Sequence, residues 1–328
     1  MLFERSGIHW FTLRGISVAV SMWYMILMAF IVFSPIVFGG GGGSVIGGVI
    51  FAVAVTISLL VHEFGHAVVS KHYKLGPSIL LHGFGGLCMS ESSAIKDGDD
   101  ARVVLAGPFA GLAFGGLLWL FQAFLPGVAY SSPLVGSFIS SLLWINILWS
   151  LVNLLLPIWP LDGGQLFHLI LRRFMDADKA QRIALTVSIF VIVPIAIIGF
   201  MKFKMLFFAI LGLFIVMDNL NSLQSGQPLI NRPGSQRAKA SSFQVELMQD
   251  AEAAMADEDW REAARLGHHM RSVGAMPEGM LAKVWTILGI ANMEMGNYDE
   301  ALEYLERAPD SKEVRAAFKS CKERQAAS

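Results

Sequence analysis

Long apolar stretches separated by short polar ones fill the first 220 residues. Beyond them, charged residues alternate with apolar ones three and four positions apart. A membrane-crossing helix needs about 20 mostly apolar residues to traverse a hydrocarbon core of about 30 Å. Six segments meet or approach that length, at roughly 16–38, 45–69, 103–125, 134–156, 182–201 and 203–220, the last being the shortest. The first follows Arg5 and Arg14. Its apolar run is longer than a signal-peptide core and no small-residue cleavage site follows, so it reads as a retained anchor. Residues 221–240 are polar, contain Gly and Pro and lack an apolar period, which predicts a linker. Residues 241–328 carry the helical period. The expected fold is an all-α polytopic membrane domain over 1–220, followed by a small helical domain over 241–328.

Within that last region, Trp285, Leu288, Gly289, Ala301, Leu305 and Ala308 fall at the spacing of a tetratricopeptide helix pair. Trp260 and Ala263 form a weaker earlier copy of Tyr298 and Ala301, 38 positions upstream where a regular repeat would have 34. One or two such repeats are fewer than the three or so that usually stand alone. The domain is therefore expected to pack on itself or on the membrane unit, and to offer a surface to a protein partner.

Composition sharpens this division. The chain is 54% hydrophobic and 16% charged, against about 25% charged in ordinary soluble domains. About half of all its Asp, Glu, Lys and Arg residues lie in 241–328, 16 acidic and 10 basic. A net charge of −1 gives no reason to expect nucleic acid as a partner. Cys88 and Cys321 form no ligand or disulfide pattern. Lys and Arg mark one side of the membrane: Arg5 and Arg14, then Lys71, Lys74, Lys96 and Arg102, then Arg172, Arg173, Lys179 and Arg182. The opposite side receives the Gly39–Gly43 run, the 126–133 loop and only Lys202 and Lys204. The basic side is expected to be cytoplasmic, with six crossings placing both termini there.

The apolar body holds very few charges. Between Arg14 and Lys71 the sole formally charged residue is Glu63, and between Arg102 and Asp162 there is none. A charge at the bilayer centre costs about 2.5–3.5 kcal/mol or more, so an acid there is a functional candidate. Glu63 sits in His62-Glu63-Phe64-Gly65-His66. On a helix, positions i and i+4 share a face, so His62 and His66 can each aim a ring nitrogen at one metal ion. Glu63 projects beside that face, close enough to act as a base toward water held there. Neutral imidazoles with one carboxylate suit zinc best; ligand type alone leaves iron and manganese open.

A third ligand must reach the same depth. The second segment runs inward and ends near Lys71, which puts His66 a few residues below the cytoplasmic surface. The fourth also runs inward and ends near Leu156 in NLLLPIWPLDGGQLF. Asp162 follows directly, among Pro157, Pro160, Gly163 and Gly164, which break a helix and permit close backbone approach. Its depth matches the histidines. The competing assignment is an N-cap for the helix beginning near Gln165.

The HEFGH span, the Pro-Leu-Asp-Gly-Gly segment and the six apolar helices together resemble the site-2 protease family of intramembrane zinc metalloproteases, over roughly residues 10–220. The resemblance implies zinc held by His62, His66 and Asp162, with Glu63 as catalytic base. It implies hydrolysis of peptide bonds in or near transmembrane segments of membrane-protein substrates. LHGFGGLCM (81–89) is similar to that family's short membrane-associated β-hairpin, which lies near the substrate strand. Gly85, Gly86 and Asn153 are the substrate contacts this suggests. AGPFAGL (106–112) resembles the small-residue start of the next helix. One departure stands out: the family usually places an Asn eight residues before the zinc-binding Asp, whereas Asn153 lies nine before Asp162. Asn146 and Asn153 are both candidates for that role.

Other histidines carry weaker signals. His82 lies in the hairpin-like loop, His168 just beyond Asp162, and His9, His72, His268 and His269 have no partner pattern. Asp218 at the end of the last segment reads as capping or interfacial. Two other functional classes match parts of the pattern. A non-proteolytic adaptor would be expected to lack the Glu or a ligand, and a transporter would be expected to show repeated halves.

Overall fold

A computed structural model describes residues 7–38, 44–83, 85–90, 97–203, 206–225, 242–272 and 276–327. The six apolar segments are helical: α1 (Met22–Phe38), α2 (Val45–His72), α3 (Asp97–Phe124), α5 (Pro133–Leu155), α7 (Ala177–Phe203) and α8 (Leu206–Ser225), with α4 (Pro126–Ala129) and α6 (Asp162–Leu171) between them. Among the described residues, four helices are long and apolar enough to cross a membrane, Val45–His72, Gly98–Phe124, Pro133–Leu155 and Ala177–Lys202. The apolar stretches of α1 and α8, Met22–Ser34 and Ala209–Gln224, are shorter. The Gly39–Gly43 run lies outside the described residues. So does most of the expected linker, whose first residues continue α8 to Ser225.

Small residues set how closely the helices approach. A methyl added at Gly65 on α2 would meet the Ala106 carbonyl oxygen of α3 at 2.5 Å and Ala110 Cβ at 2.7 Å. Such close backbone approach gains dispersion energy that lipid contact does not offer. The start of α5 is fixed locally: Ser132 Oγ accepts from Val135 N–H at 3.3 Å, with Pro133 at the first helical position.

Sequence reading expected a two-stranded hairpin; the structure has a four-stranded sheet in the order β1-β2-β3-β4. Strands β1 (Ile8–Leu13) and β2 (Ile16–Val20) are antiparallel, β2 pairs in parallel with β3 (Pro77–His82), and β3 is antiparallel to β4 (Gly85–Ser90). Residues 16–20 therefore belong to the sheet, and the first apolar helix begins at Met22 rather than 16. The reason is in the turn and in burial. Arg14 and Gly15 have φ of 49° and 73°, the left-handed pair that a two-residue hairpin loop requires. The ISVAV strand is almost wholly buried between β1 and β3, so its apolar run lacks the alternation that marks a half-exposed strand.

The C-terminal helices are α9 (Ser242–Ala256), α10 (Trp260–Ser272), α11 (Glu278–Glu294), α12 (Tyr298–Arg307) and α13 (Lys312–Ala327), each packed on the next. Trp260 and Tyr298 open α10 and α12, and Ala263 and Ala301 are both fully buried. Helices α10 and α12 thus share an aromatic first residue and a buried alanine three positions on. Gly267 lies against Leu288, and Gly289 against Leu305. These helices rest on the sheet through α10, which packs against β1, β2 and β3.

Candidate metal centre

The helical course of α2 brings His62 and His66 to one face, buried between α3, α5 and α6. Their Nε2 atoms are 3.1 Å apart. Asp162, the first residue of α6, places Oδ2 3.0 Å from His62 Nε2 and 3.4 Å from His66 Nε2. Two imidazole nitrogens at that separation repel unless a cation or a proton lies between them. Donors bound at about 2.0–2.1 Å to a tetrahedral zinc stand roughly 3.3–3.4 Å apart, so the observed triangle matches or is a few tenths of an ångström tighter. Among the described residues, this is the His, Cys, Asp and Glu cluster whose donor atoms converge closely enough for a metal.

The tautomer of His66 follows from its other nitrogen. His66 Nδ1 lies 2.7 Å from the Val103 carbonyl oxygen of α3. A carbonyl can only accept, so Nδ1 carries the proton and Nε2 keeps its lone pair for the metal. Gly107, one turn further along α3, permits this approach, because a methyl there would enter the His66 ring, meeting Cδ2 at 2.6 Å. His62 Nδ1 is buried without a hydrogen-bond partner among the described residues.

Asp162 is held by the turn before it. Two prolines remove backbone donors, and α5 ends at Leu155. The chain then folds back so tightly that side chains are excluded: a methyl at Gly163 would meet the Leu154 oxygen at 2.6 Å, and one at Gly164 the Ile158 oxygen at 2.5 Å. Asn153 reaches the same point from α5. Its Nδ2 is 2.7 Å from Asp162 Oδ2 and 3.0 Å from His62 Nε2. The one-residue offset in spacing therefore leaves the Asn153 amide in contact with the cluster. Asn146, two turns earlier, instead donates to Ser58 Oγ at 2.8 Å.

Glu63 is buried beside the donor cluster and faces β4. A methyl on Gly86 would overlap its carboxylate, meeting Cδ at 2.5 Å. Gly86 is thus where the sheet passes directly over Glu63; its neighbour Gly85, at φ 134°, adopts a backbone form that other residues avoid. β4 pairs with β3 on one side only and forms the edge of the sheet on the other.

The remaining histidines lie elsewhere. His168 is buried on α6 with its ring 6.3 Å from that of Trp159, and His82 ends β3. His9 and His268 stack on each other at 5.8 Å between β1 and α10. Sequence reasoning missed Val103 and Gly107 as supports for His66. The small-residue run AGPFAGL was the available signal.

Comparison with known proteins finds distant relatives. The family model described as peptidase family M50 matches residues 128–195, which include Asn153 and Asp162 but not the His62–His66 segment. A zinc metalloprotease of Methanocaldococcus jannaschii is 26% identical over 183 residues, covering 56% of this chain and 50% of that protein. Stage IV sporulation protein FB of Bacillus subtilis is 28% identical over 133 residues, 40% of this chain and 43% of its own length. The chain spans half or less of the length of these relatives. A solved structure titled site-2 protease from Methanocaldococcus jannaschii aligns with TM-score 0.49 and 21% identity, covering 66% of this chain and 95% of that one. The family model and the curated relatives support a distant kinship with peptidase family M50 and with a protein described as a zinc metalloprotease.

Proposed function

We propose that this chain is an intramembrane metalloprotease of the site-2 protease type, cutting peptide bonds in or near transmembrane segments of other proteins. The observation that carries the reading is the convergence of His62 Nε2, His66 Nε2 and Asp162 Oδ2 within 3.4 Å of one another, with Glu63 alongside in an apolar helical body. These three residues would hold zinc. When bound, zinc would polarise a scissile carbonyl and acidify water at neutral pH.

The chain's own groups supply the rest. Glu63 takes a proton from the attacking water on its carboxylate and later delivers it to the leaving amine. Buried in an apolar setting, that carboxylate meets few competing waters. The open edge of β4 offers unpaired backbone groups, so an unwound substrate segment can add there as a strand, with Gly86 leaving room above Glu63. Asn153, bonded to Asp162, orients the carboxylate and stands close to where a substrate carbonyl would lie.

The Lys and Arg distribution supports cytoplasmic placement of the site's near end, of both termini and of the 241–328 domain. Contacts of that domain with Lys71 and Lys74, at the end of α2, are consistent with a shared side. The domain reads as a tetratricopeptide-like surface for a partner that controls substrate access.

The deciding experiment compares purified wild type with Glu63→Gln, by metal analysis and with a library of transmembrane peptides. The variant should keep its zinc and lose cleavage. Full activity in Glu63→Gln would remove that residue from the mechanism, and a metal-free wild type would remove the centre itself.

A further inference from the structure

One backbone amide of the turn that carries Asp162 bonds to a side chain on another helix. Of the four amides in 156–161 that can donate, Leu156 N–H bonds to Val152 O at 3.2 Å, Ile158 N–H to Leu156 O at 2.8 Å and Leu161 N–H to Ile158 O at 2.7 Å. The fourth, Trp159 N–H, leaves the segment and donates to Ser188 Oγ on α7 at 2.9 Å. Ser188 Oγ also accepts from Asn219 Nδ2 on α8 at 2.5 Å, and its own proton faces the Trp159 carbonyl oxygen at 3.4 Å. Both side chains are fully buried. A hydroxyl has two acceptor sites and one donor, and here all three are used.

We infer that Ser188 and Asn219 are positioning residues for the metal centre, fixing the Trp159 peptide and, three residues on, the place of the Asp162 carboxylate. The argument rests on the metalloprotease reading above, since it assigns Asp162 as a ligand. Three features connect the distant pair to that carboxylate. Gly163 and Gly164 press directly on the backbone of residues 154–159, so the turn moves as one piece with the start of α6. The proline-interrupted backbone has no ladder to hold it. And α7 with α8 forms a closely packed pair, in which a methyl at Gly212 would run into Ala196 Cβ. The pair therefore acts as a rigid post. Neither Ser188 nor Asn219 touches the donor atoms; they act through the turn.

The test uses the full chain in detergent, with zinc affinity by chelator competition and the visible spectrum of the cobalt-substituted protein. Ser188→Ala leaves Trp159 N–H and the Asn219 amide unpaired, and should weaken zinc binding roughly 10–100-fold, the usual effect of removing outer hydrogen bonds from a metal site. The cobalt bands should shift, because the carboxylate changes its angle to the ion. Ser188→Thr restores the hydroxyl and should recover most of the affinity and the wild-type spectrum. Zinc affinity in Ser188→Ala equal to wild type, with an unchanged cobalt spectrum, would overturn the inference while leaving the metal centre standing. A wild type that binds no stoichiometric metal would overturn both. If Ser188→Ala does not yield folded protein, Asn219→Ala decides: it keeps the Ser188 bond to Trp159 and should show a smaller shift in the same direction, and no shift would overturn the inference.

Discussion

Arg271 on α10 and Pro77 at the start of β3 are 194 positions apart in the chain, and Arg271 Nη2 donates to the Pro77 carbonyl oxygen at 3.2 Å. The same guanidinium donates from Nη1 to Gly15 O at 3.5 Å and to Tyr304 Oη at 2.9 Å, and its carbon lies 5.4 Å from the Tyr304 ring centre. Tyr304 in turn donates to Gly15 O at 3.1 Å. A buried cation thus fastens the C-terminal helices to the β1–β2 turn and to the start of β3, in the sheet whose far strand passes over Glu63. Carbonyl oxygens and an aromatic face are among the groups that receive the charge.

Arg271→Met is expected to loosen that attachment. A hydrogen bond to a charged group is typically worth about 1.5–3 kcal/mol, and Met keeps much of the apolar stem. The C-terminal helices should lose amide-exchange protection first. Zinc content should stay at the wild-type ratio, since the Arg271 bonds run to Gly15, Tyr304 and Pro77 and not to the donor set. By contrast Lys71→Ala removes a half-exposed ion pair to Glu303 and should cost under about 1 kcal/mol.

Much of the site was legible in the sequence because its signals are local. HEFGH sets two rings on one helical face by spacing alone, and a proline-broken turn at matching depth marked Asp162. The β1–β2 hairpin was not legible as strand, since ISVAV adjoins the apolar run of α1 and is buried like it. The Arg14-Gly15 turn was the only local clue. The Ser188–Asn219 contact with Trp159 could not be read at all. A serine and an asparagine inside apolar helices carry no directional signal until the helices are packed.

The donor set makes a second prediction. His66→Ala and Asp162→Asn should each lower the zinc-to-protein ratio, by metal analysis after dialysis. The histidine variant should be the more damaging, because Asp162→Asn retains an oxygen at the same place. An unchanged ratio in either variant would exclude that residue as a ligand. Gly107→Ala should behave as a weaker form of His66→Ala, through displacement of the ring.

Stability of the C-terminal docking is expected to depend on pH. His268 is buried between β1 and α12, with His9 and Arg271 beside it, and His9 in turn faces His269 and Arg265. Burial first, then the Arg271 and His9 charges, holds its pKa well below the usual 6.5. Burial likewise lowers His9 and His269. A lowered pKa means that the undocked or unfolded state binds protons first. The contribution is therefore full above pH 6.5 and lost as pH falls below it toward the folded values. Thermal unfolding of the C-terminal helices should shift downward on acidification from neutral pH, and His268→Phe, which keeps the ring stack without a titrating nitrogen, should flatten that dependence. A pH-independent midpoint in wild type would contradict it.

Gly86 provides the sharpest separation of metal binding from catalysis. A methyl there would overlap the Glu63 carboxylate, so Gly86→Ala must push Glu63 aside or lift β4 away from α2. The atoms nearest that methyl all belong to Glu63, so the metal ligands should keep their zinc. A displacement of about 1 Å in a reacting group can cost about 100-fold in rate, and Gly86→Ala should show a loss of that order in peptide cleavage. Gly85→Ala strains the backbone at φ 134° without touching Glu63, and should instead reduce stability of the β3–β4 hairpin. Equal activity in Gly86→Ala and wild type, with zinc retained in both, would mean that Glu63 has room to move without consequence. The close passage of β4 would then be packing rather than alignment.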